Sequence, residues 1–217
     1  MEQLDLEKFL ANYPYDKNST DPMAELGAKN FWIWLYRYLD SQVGNNYLSK
    51  MKPEELTNRE YVLAYVDRIK KGEGFIFCGN VGIGKTMLLV YTILKVAEQF
   101  VPKDTSRTDF SHCLQFHYFA DFLDTFCGGF AAVKYEPPKY LFLDDFGRED
   151  SRLSMSKIES LFEKIYKKRT VLVMTTNLKK ETIATKQGWE RVIDRLRQMC
   201  YVVELVGESR RKWEGAR

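Results

Sequence analysis

The segment from Gly79 to Thr86 constrains the fold of this chain more than any other feature. It reads Gly79-Asn80-Val81-Gly82-Ile83-Gly84-Lys85-Thr86 and lies between a short apolar stretch at 75–78 and an apolar helical pattern at 85–98. Its three glycines allow the backbone to fold tightly, so that successive N–H groups converge on phosphate oxygens at the amino end of the following helix. The segment therefore predicts a phosphate-binding loop between a strand and a helix.

The side chains that end this loop indicate a nucleoside triphosphate and a metal ion. The ammonium group of Lys85 would reach the β and γ phosphates, and the Thr86 hydroxyl would occupy one coordination position on Mg²⁺. Met87 follows directly, and we expect the whole run from Gly79 to Met87 to contact ATP. An ordinary glycine-rich turn is the alternative, but the complete spacing and its flanking elements favour the phosphate loop.

Two acids end an apolar run further along the chain. The run Tyr140-Leu141-Phe142-Leu143 is typical of a buried parallel strand, and Asp144 and Asp145 follow it. Asp144 would orient Mg²⁺, directly or through water, and Asp145 would act as the general base that polarises an attacking water. The alternative is that the two acids only open the turn after the strand.

Polar residues also follow the next predicted strand. Val171-Leu172-Val173-Met174 runs into Thr175-Thr176-Asn177-Leu178, at the edge of an open α/β sheet where ligands bind. Asn177 could position the water or contact the γ-phosphate. It could equally be a turn residue or a helix cap, and the sequence leaves these alternatives open.

The rest of the pattern alternates between strands and helices from residue 58 onward. This alternation predicts an α/β domain with a parallel five-stranded sheet covered on both faces. We predict strands at 75–78, 114–118, 140–144, 171–175 and 201–205, and helices at 58–70, 85–98, 120–126, 155–167 and 189–199.

An aromatic-rich stretch at 30–39 precedes this domain and has the pattern of a helix. It contains Phe31, Trp32, Trp34, Tyr36 and Tyr38. Rings at this density either pack on their own domain or form an interface with another protein, because both settings favour Trp and Tyr. The sequence does not choose between them, and we divide the chain into a mainly helical partner-binding region at 1–56 and a domain at 57–217.

Composition excludes several other classes of protein. No apolar run approaches the length of about 20 residues that spans a bilayer, and no basic segment followed by an apolar one begins the chain, so we expect a cytoplasmic location without membrane contact. The net charge of +3 is too small to indicate nucleic-acid binding by itself. The four cysteines are widely separated, which favours buried free thiols over a zinc site.

The phosphate loop, the Asp144-Asp145-Phe146-Gly147 segment, the 175–178 segment and the Arg191-Val192-Ile193-Asp194-Arg195-Leu196-Arg197 segment together resemble the AAA+ ATPases of the DnaC/DnaI helicase-loader and IstB group. The resemblance covers residues from about 57 onward. It implies a three-layer AAA+ P-loop fold without a helical lid. It also implies a Walker A loop, a Walker B strand that ends in two aspartates, and a sensor 1 residue at Asn177.

The same resemblance implies that an arginine completes the site of a neighbouring subunit. Arg195 is the candidate, with Arg191 one turn earlier, because a guanidinium supplied in trans would neutralise charge on the transferred phosphoryl group. The alternative is a basic, solvated helix face. Near the carboxyl end, Arg210 and Arg211 either approach a phosphate or belong to a solvated basic tail.

The partners that the resemblance implies are a hexameric replicative helicase, single-stranded DNA, and further copies of the chain in a ring or spiral. The DNA-contacting region would be 116–122, with Lys134 nearby, although Phe119, Phe122, Leu123 and Phe126 also have the spacing of a helix core. Three functions stay open: a helicase loader, an IstB-like transposition helper that remodels target DNA, and an adaptor that binds ATP without hydrolysing it. The chain has no cysteine before Cys78, so no amino-terminal zinc site is implied.

Overall fold

A computed structural model describes residues 3–12, 22–44, 48, 59–101, 110–127, 134–147 and 154–209. They include the helices α1 (Gln3–Asn12), α2 (Pro22–Val43), α3 (Arg59–Lys70), α4 (Lys85–Ala97), α5 (Phe119–Phe126), α6 (Met155–Lys167), α7 (Lys180–Ala184) and α8 (Glu190–Met199), and a 3₁₀ turn follows α4 at Glu98–Phe100. The strands are β1 (Gly74–Cys78), β2 (Leu114–Tyr118), β3 (Tyr140–Phe146), β4 (Val171–Thr176) and β5 (Cys200–Glu204).

The five strands form one parallel sheet in the order β2-β3-β4-β1-β5. The chain therefore crosses over the sheet between strands that are not neighbours, and β1 lies between β4 and β5. Every residue of β1 and of β4 is buried, as expected for inner strands with both faces covered. The predicted α/β fold with a five-stranded parallel sheet is confirmed.

Helices cover both faces of the sheet and form two apolar cores. The first core is formed by the helices α1, α2, α3 and α4 and one face of the strands. Its members include Leu35, Leu39, Ile69 and Leu94. The second joins α5 to α8 with the opposite face. In α6, for example, Ile158, Leu161, Phe162 and Ile165 are buried at spacings of three and four, so that one stripe of the helix faces the sheet.

Most predicted elements match the observed ones within two residues. The strand predicted at 140–144 extends to Phe146, the helix predicted at 30–39 is part of the longer α2, and neither α1 nor the short helix α7 was predicted. No helix occurs in 205–209, the last residues that the structure describes. Of the cysteines, Cys78, Cys113 and Cys127 are buried and Cys200 is partly exposed, all as free thiols. Among the described residues, no helix is long and apolar enough to cross a membrane.

The aromatic helix α2 packs on the same core as the sheet. Phe31, Trp32 and Tyr36 are at most 3% exposed, and the Phe31 ring lies 4.7 Å from the ring of Phe110. Of the two alternatives for these rings, packing on the chain's own core is the one observed. The division of the chain at residue 56 stays a prediction.

Tyr38 connects α2 to the edge of the sheet. Its hydroxyl accepts a hydrogen bond from the Phe116 N–H at 2.8 Å and donates one to the Phe116 carbonyl at 3.0 Å. Phe116 lies in β2, which among the described residues pairs only with β3, so within that part of the chain these two backbone groups have no other partner strand. Burial raises the pKa of the Tyr38 hydroxyl to about 12, which keeps it protonated as this donor role requires.

We expect Tyr38→Phe to destabilise the protein by about 1–3 kcal/mol, because it leaves the buried amide and carbonyl of Phe116 without their partner. Chemical denaturation followed by circular dichroism measures this change. Tyr201→Phe is the matched control, since it removes the hydroxyl of a tyrosine that is 56% exposed and should change stability by less than about 0.5 kcal/mol. Equal effects of the two substitutions would contradict this account of Tyr38.

Candidate nucleotide-binding site

The phosphate loop, residues 79–86, connects the end of β1 to the start of α4. Gly82 and Gly84 have φ angles of +86° and +90°, a left-handed conformation that side chains disfavour. No side chain caps α4 at Gly84, and the first helical hydrogen bond runs from the Leu88 N–H to the Gly84 carbonyl. The first turn of α4 therefore presents backbone N–H groups and the positive end of the helix dipole toward the loop.

Lys85 is buried and extends across the loop. Its ammonium group donates to the carbonyl oxygens of Gly79 at 2.8 Å and Asn80 at 2.7 Å, and to the side-chain oxygen of Asn177 at 2.6 Å. A cation is thus held between the loop and the end of β4. Lys85 thus lies beside the backbone of the loop, where its charge could reach phosphates bound there.

Asp144 is 1% exposed and lies opposite the loop at the end of β3. Its Oδ2 accepts a hydrogen bond from the Thr86 hydroxyl at 2.6 Å, and its Oδ1 accepts one from the Thr175 hydroxyl. Burial raises the pKa of the Asp144 carboxyl, the two hydroxyl donors act in the opposite direction, and the nearby charge of Asp145 raises the pKa further.

Asp145 occupies a β-bulge. The register between β3 and β4 shifts between Leu143 and Phe146, so β3 contains one more residue than its partner across this interval. The backbone of Asp145 has a φ of +59°, which is uncommon for a residue other than glycine. As a result, Phe146 returns to the same apolar core as Leu143, while Asp144 and Asp145 both remain at the carboxyl edge of the sheet.

Asn177 links the two halves of the site. Its amide nitrogen donates to Asp145 Oδ1 at 3.0 Å, while its oxygen accepts from Lys85. Together with Thr175, whose hydroxyl also accepts from the Asp145 N–H at 3.2 Å, these contacts complete a continuous set of hydrogen bonds. We call it the carboxyl-edge network; its members are Lys85, Thr86, Asp144, Asp145, Thr175 and Asn177.

The oxygens of Thr86 and Asp144 fit the preferences of Mg²⁺, which takes hard oxygen ligands. The buried Asp144 carboxylate has two hydroxyl donors, and a cation beside it would offset the cost of burying its charge. Within the described residues, no group of three or more His, Cys, Asp or Glu could hold a metal ion. Mg²⁺ usually takes few protein ligands and completes its shell with water and phosphate oxygens.

Arg191 and Arg195 lie apart from this network. Both project from α8 toward α6, where Arg195 Nε donates to Glu163 at 2.7 Å and Arg191 contacts Glu159 at 3.3 Å. The Arg195 guanidinium also lies 4.7 Å from the centre of the Tyr166 ring. In the part of the chain that the structure describes, these arginines therefore contact α6 and not the phosphate loop.

The segment after β5 crosses the phosphate loop, which the sequence analysis did not predict. A Cβ atom added at Gly82 would lie 2.2 Å from Ser209 Oγ, and one added at Gly79 would lie 2.7 Å from the Leu205 carbonyl. The Leu205 N–H also donates to the Cys78 carbonyl at 2.8 Å. Gly79 and Gly82 therefore leave room for the segment after β5, because a side chain at either position would contact it. Arg210 and Arg211 lie outside the described residues.

The aromatic residues considered for DNA contact lie mainly inside the protein. Phe116, Phe119 and Phe122 are each 0% exposed, and Leu123 is equally buried. Phe126 is partly buried and packs against the same core. The core-packing alternative is the one observed for these residues, and base stacking would require other side chains of this region.

The strand order and the loop after β1 define the class of the domain: a P-loop α/β fold. The fold is shared with the solved structure of DnaI, with a TM-score of 0.56 and 16% identity, covering 75% of this chain and 91% of that one. It is also shared with the DnaC helicase loader, with a TM-score of 0.51 and 21% identity over 78% and 99% of the two chains.

A third similar structure, from Streptococcus pyogenes serotype M3, has a TM-score of 0.51 and 18% identity, covering 72% of this chain and 84% of that one. No protein-family model matches the sequence, and no curated protein matches it either. At this level of identity the comparisons establish the fold. The predicted three-layer α/β fold is therefore confirmed as the fold shared with DnaI and the DnaC helicase loader.

We expect Gly82→Ala to weaken nucleotide binding and lower stability for two reasons. The positive φ alone costs about 1–2 kcal/mol for a residue with a Cβ, and the contact with Ser209 adds to it. Gly188→Ala is the matched control, because Gly188 has a φ of +78° but no atom within 4 Å of an added Cβ. Thermal denaturation should show the larger loss for Gly82→Ala, and adding Ser209→Gly should recover part of it. An equal loss at both glycines would contradict the close approach of Ser209.

Proposed function

We propose that the protein is an ATPase that loads a replicative DNA helicase onto single-stranded DNA and is completed by a neighbouring copy of itself. The observation that supports this most directly is the carboxyl-edge network, which connects the phosphate loop to two aspartates and Asn177 within the fold shared with DnaI and the DnaC helicase loader.

Within this proposal, Lys85 and Thr86 bind the triphosphate together with the backbone of the loop. Mg²⁺, when bound, neutralises charge on the phosphate oxygens, and Thr86 and Asp144 are the residues that would hold it. Asp144 is suited to this role because its Oδ2 already lies against the Thr86 hydroxyl, with the carboxylate turned toward the loop.

Asp145 is the residue that would accept a proton from the attacking water. Its carboxylate is partly exposed, so water can reach it, and it accepts a hydrogen bond from Asn177. The side-chain oxygen of Asn177 also accepts a hydrogen bond from Lys85. Asn177 therefore connects the carboxylate of Asp145 to the ammonium group of Lys85. When Lys85 moves to bind or release the γ-phosphate, Asn177 at the end of β4 would change its hydrogen bonds.

The position of Arg195 supports completion of the site in trans. The described contacts of Arg195 are with α6 and with its own neighbour Asp194, so its guanidinium lies on a helical surface apart from the phosphate loop of the same subunit. A neighbouring copy that docks against this surface would receive the arginine. Hydrolysis would then depend on assembly into a ring or spiral.

We expect Lys85→Ala to abolish ATP binding, because it removes the cation of the loop. We expect Arg195→Ala to leave binding within about twofold and to lower the rate of hydrolysis by about 10³-fold, the range typical of an arginine supplied in trans. Equilibrium binding of a fluorescent ATP analogue and steady-state phosphate release measure the two effects.

Arg197→Ala is the matched control for Arg195, since Arg197 lies on the same helix but donates to the carbonyl of Ala184. It should leave both binding and hydrolysis near wild-type values. Loss of binding in Arg195→Ala would contradict a role in trans. If wild-type protein with DNA and a helicase binds ATP without hydrolysing it, the protein is a nucleotide-dependent adaptor and not an ATPase.

Helicase loading is tested by pull-down of the full-length protein with a hexameric replicative helicase. Within residues 1–56, Leu26 is 46% exposed on α2, and we expect Leu26→Glu to weaken helicase binding about tenfold or more by placing a charge in the interface. Leu63→Glu on α3 is the control, because Leu63 is 41% exposed but lies outside that region. Absence of helicase binding together with filament formation on duplex DNA would overturn loading and favour a transposition helper.

A further inference from the structure

We infer that Thr175 is a positioning residue that orients the carboxylate of Asp144 and the backbone of Asp145. This inference rests on the proposed nucleotide-binding function. Thr175 lies in β4 and is 0% exposed. Its hydroxyl donates to Asp144 Oδ1 and accepts from the Asp145 N–H at 3.2 Å. One buried hydroxyl thus contacts the carboxylate assigned to the metal and the backbone of the residue assigned to the water.

The first contact orients Asp144. A carboxylate can rotate about its bond to Cβ, and a hydrogen bond to one oxygen limits that rotation. With Oδ1 bonded to Thr175, Oδ2 faces the Thr86 hydroxyl at 2.6 Å. Thr175 would therefore act on a bound Mg²⁺ through Asp144, because hydrogen bonds to a metal ligand fix the direction in which that ligand faces.

The second contact holds Asp145 in its bulge. The left-handed backbone of Asp145, with a φ of +59°, persists only where the surroundings stabilise it. In the bulge, the ladder between β3 and β4 is interrupted, and the Asp145 N–H donates to Thr175 in place of a strand carbonyl. The same hydroxyl therefore fixes the backbone from which the Asp145 carboxylate extends toward Asn177.

The adjacent Thr176 shows that this arrangement is specific to one position. Thr176 is also 0% exposed, but its hydroxyl donates to the Phe146 carbonyl at 2.6 Å and accepts from the Leu178 N–H at 3.0 Å. These contacts hold the chain after β3 and β4 and involve neither carboxylate. Thr176 is consequently a matched control in residue type, burial and number of hydrogen bonds.

The test measures the dissociation constant of ATP in EDTA and in Mg²⁺. The quantity compared is the constant in EDTA divided by the constant in Mg²⁺, which is large when Mg²⁺ strengthens binding. In Thr175→Val we expect this ratio to fall about 10-fold or more, the size of effect seen when the hydrogen-bond partner of a metal ligand is removed. The affinity in EDTA should change by no more than about twofold. Thr175→Ser should restore the ratio, because it returns the hydroxyl.

Thr176→Val should keep the wild-type ratio even if it lowers stability. Thr175→Cys, which places a weaker S–H donor where the hydroxyl was, should give an intermediate ratio and replaces the valine variant if that variant does not fold. A wild-type ratio in Thr175→Val, or an equal loss in Thr176→Val, overturns the inference alone. Wild-type protein that binds no ATP overturns the proposed function as well, so the two failures are distinguishable.

Discussion

The burial of the Asp144 carboxylate is the constraint on which the candidate site depends. Taking an ionised carboxylate out of water is unfavourable unless charges or hydrogen bonds compensate it, and Asp144 receives two hydroxyl hydrogen bonds at 1% exposure. Burial raises the pKa of this carboxyl by more than the two hydroxyl donors lower it. Since the folded state then binds the proton more readily than the unfolded state, the contribution of Asp144 to stability falls as the pH rises through the raised pKa. Above that raised pKa the folded protein carries this cost in full, and a divalent cation beside the carboxylate would relieve it.

The order of the strands brings this carboxylate to the phosphate loop. β1, β4 and β3 are neighbours in the sheet although they are distant in the sequence, and all three are parallel. The loop after β1, the acids of β3 and the amide after β4 consequently meet at one edge. The bulge in β3 then determines which way the acids face, because one additional residue lets both remain at this edge while Phe146 rejoins the core. The carboxyl-edge network therefore depends both on the order of the strands and on the register shift between β3 and β4.

Local sequence patterns predicted the elements that depend on local physics. The phosphate loop requires glycine conformations and a following helix, and buried inner strands require short apolar runs, so Gly82, Gly84 and β4 could be recognised from neighbouring residues alone. Asn177 was recognised as a candidate because it follows a strand, although its contacts with Lys85 and Asp145 needed the structure.

Thr175, Tyr38 and Ser209 could not be assigned from sequence because each acts across a large separation along the chain. The Tyr38 hydroxyl bonds a backbone 78 residues away, and Thr175 bonds an acid 31 residues away. No local periodicity encodes these pairs. The bulge at Asp145 was also missed, since its signal is the register between two strands and not the composition of either.

The ion pair between Arg195 and Glu163 is compatible with the proposed role of this arginine at a neighbouring subunit. The Arg195 side chain is 32% exposed and that of Glu163 is 34% exposed, and ion pairs at such exposure contribute little to stability because water screens them and two long side chains must be ordered. A nucleotide phosphate carries more negative charge than one carboxylate and would be approached in a subunit interface, where screening is weaker. The guanidinium can therefore exchange Glu163 for a phosphate at small cost. The contacts with Glu163 and Tyr166 hold the arginine against α6, on the surface where the proposal places a neighbouring copy.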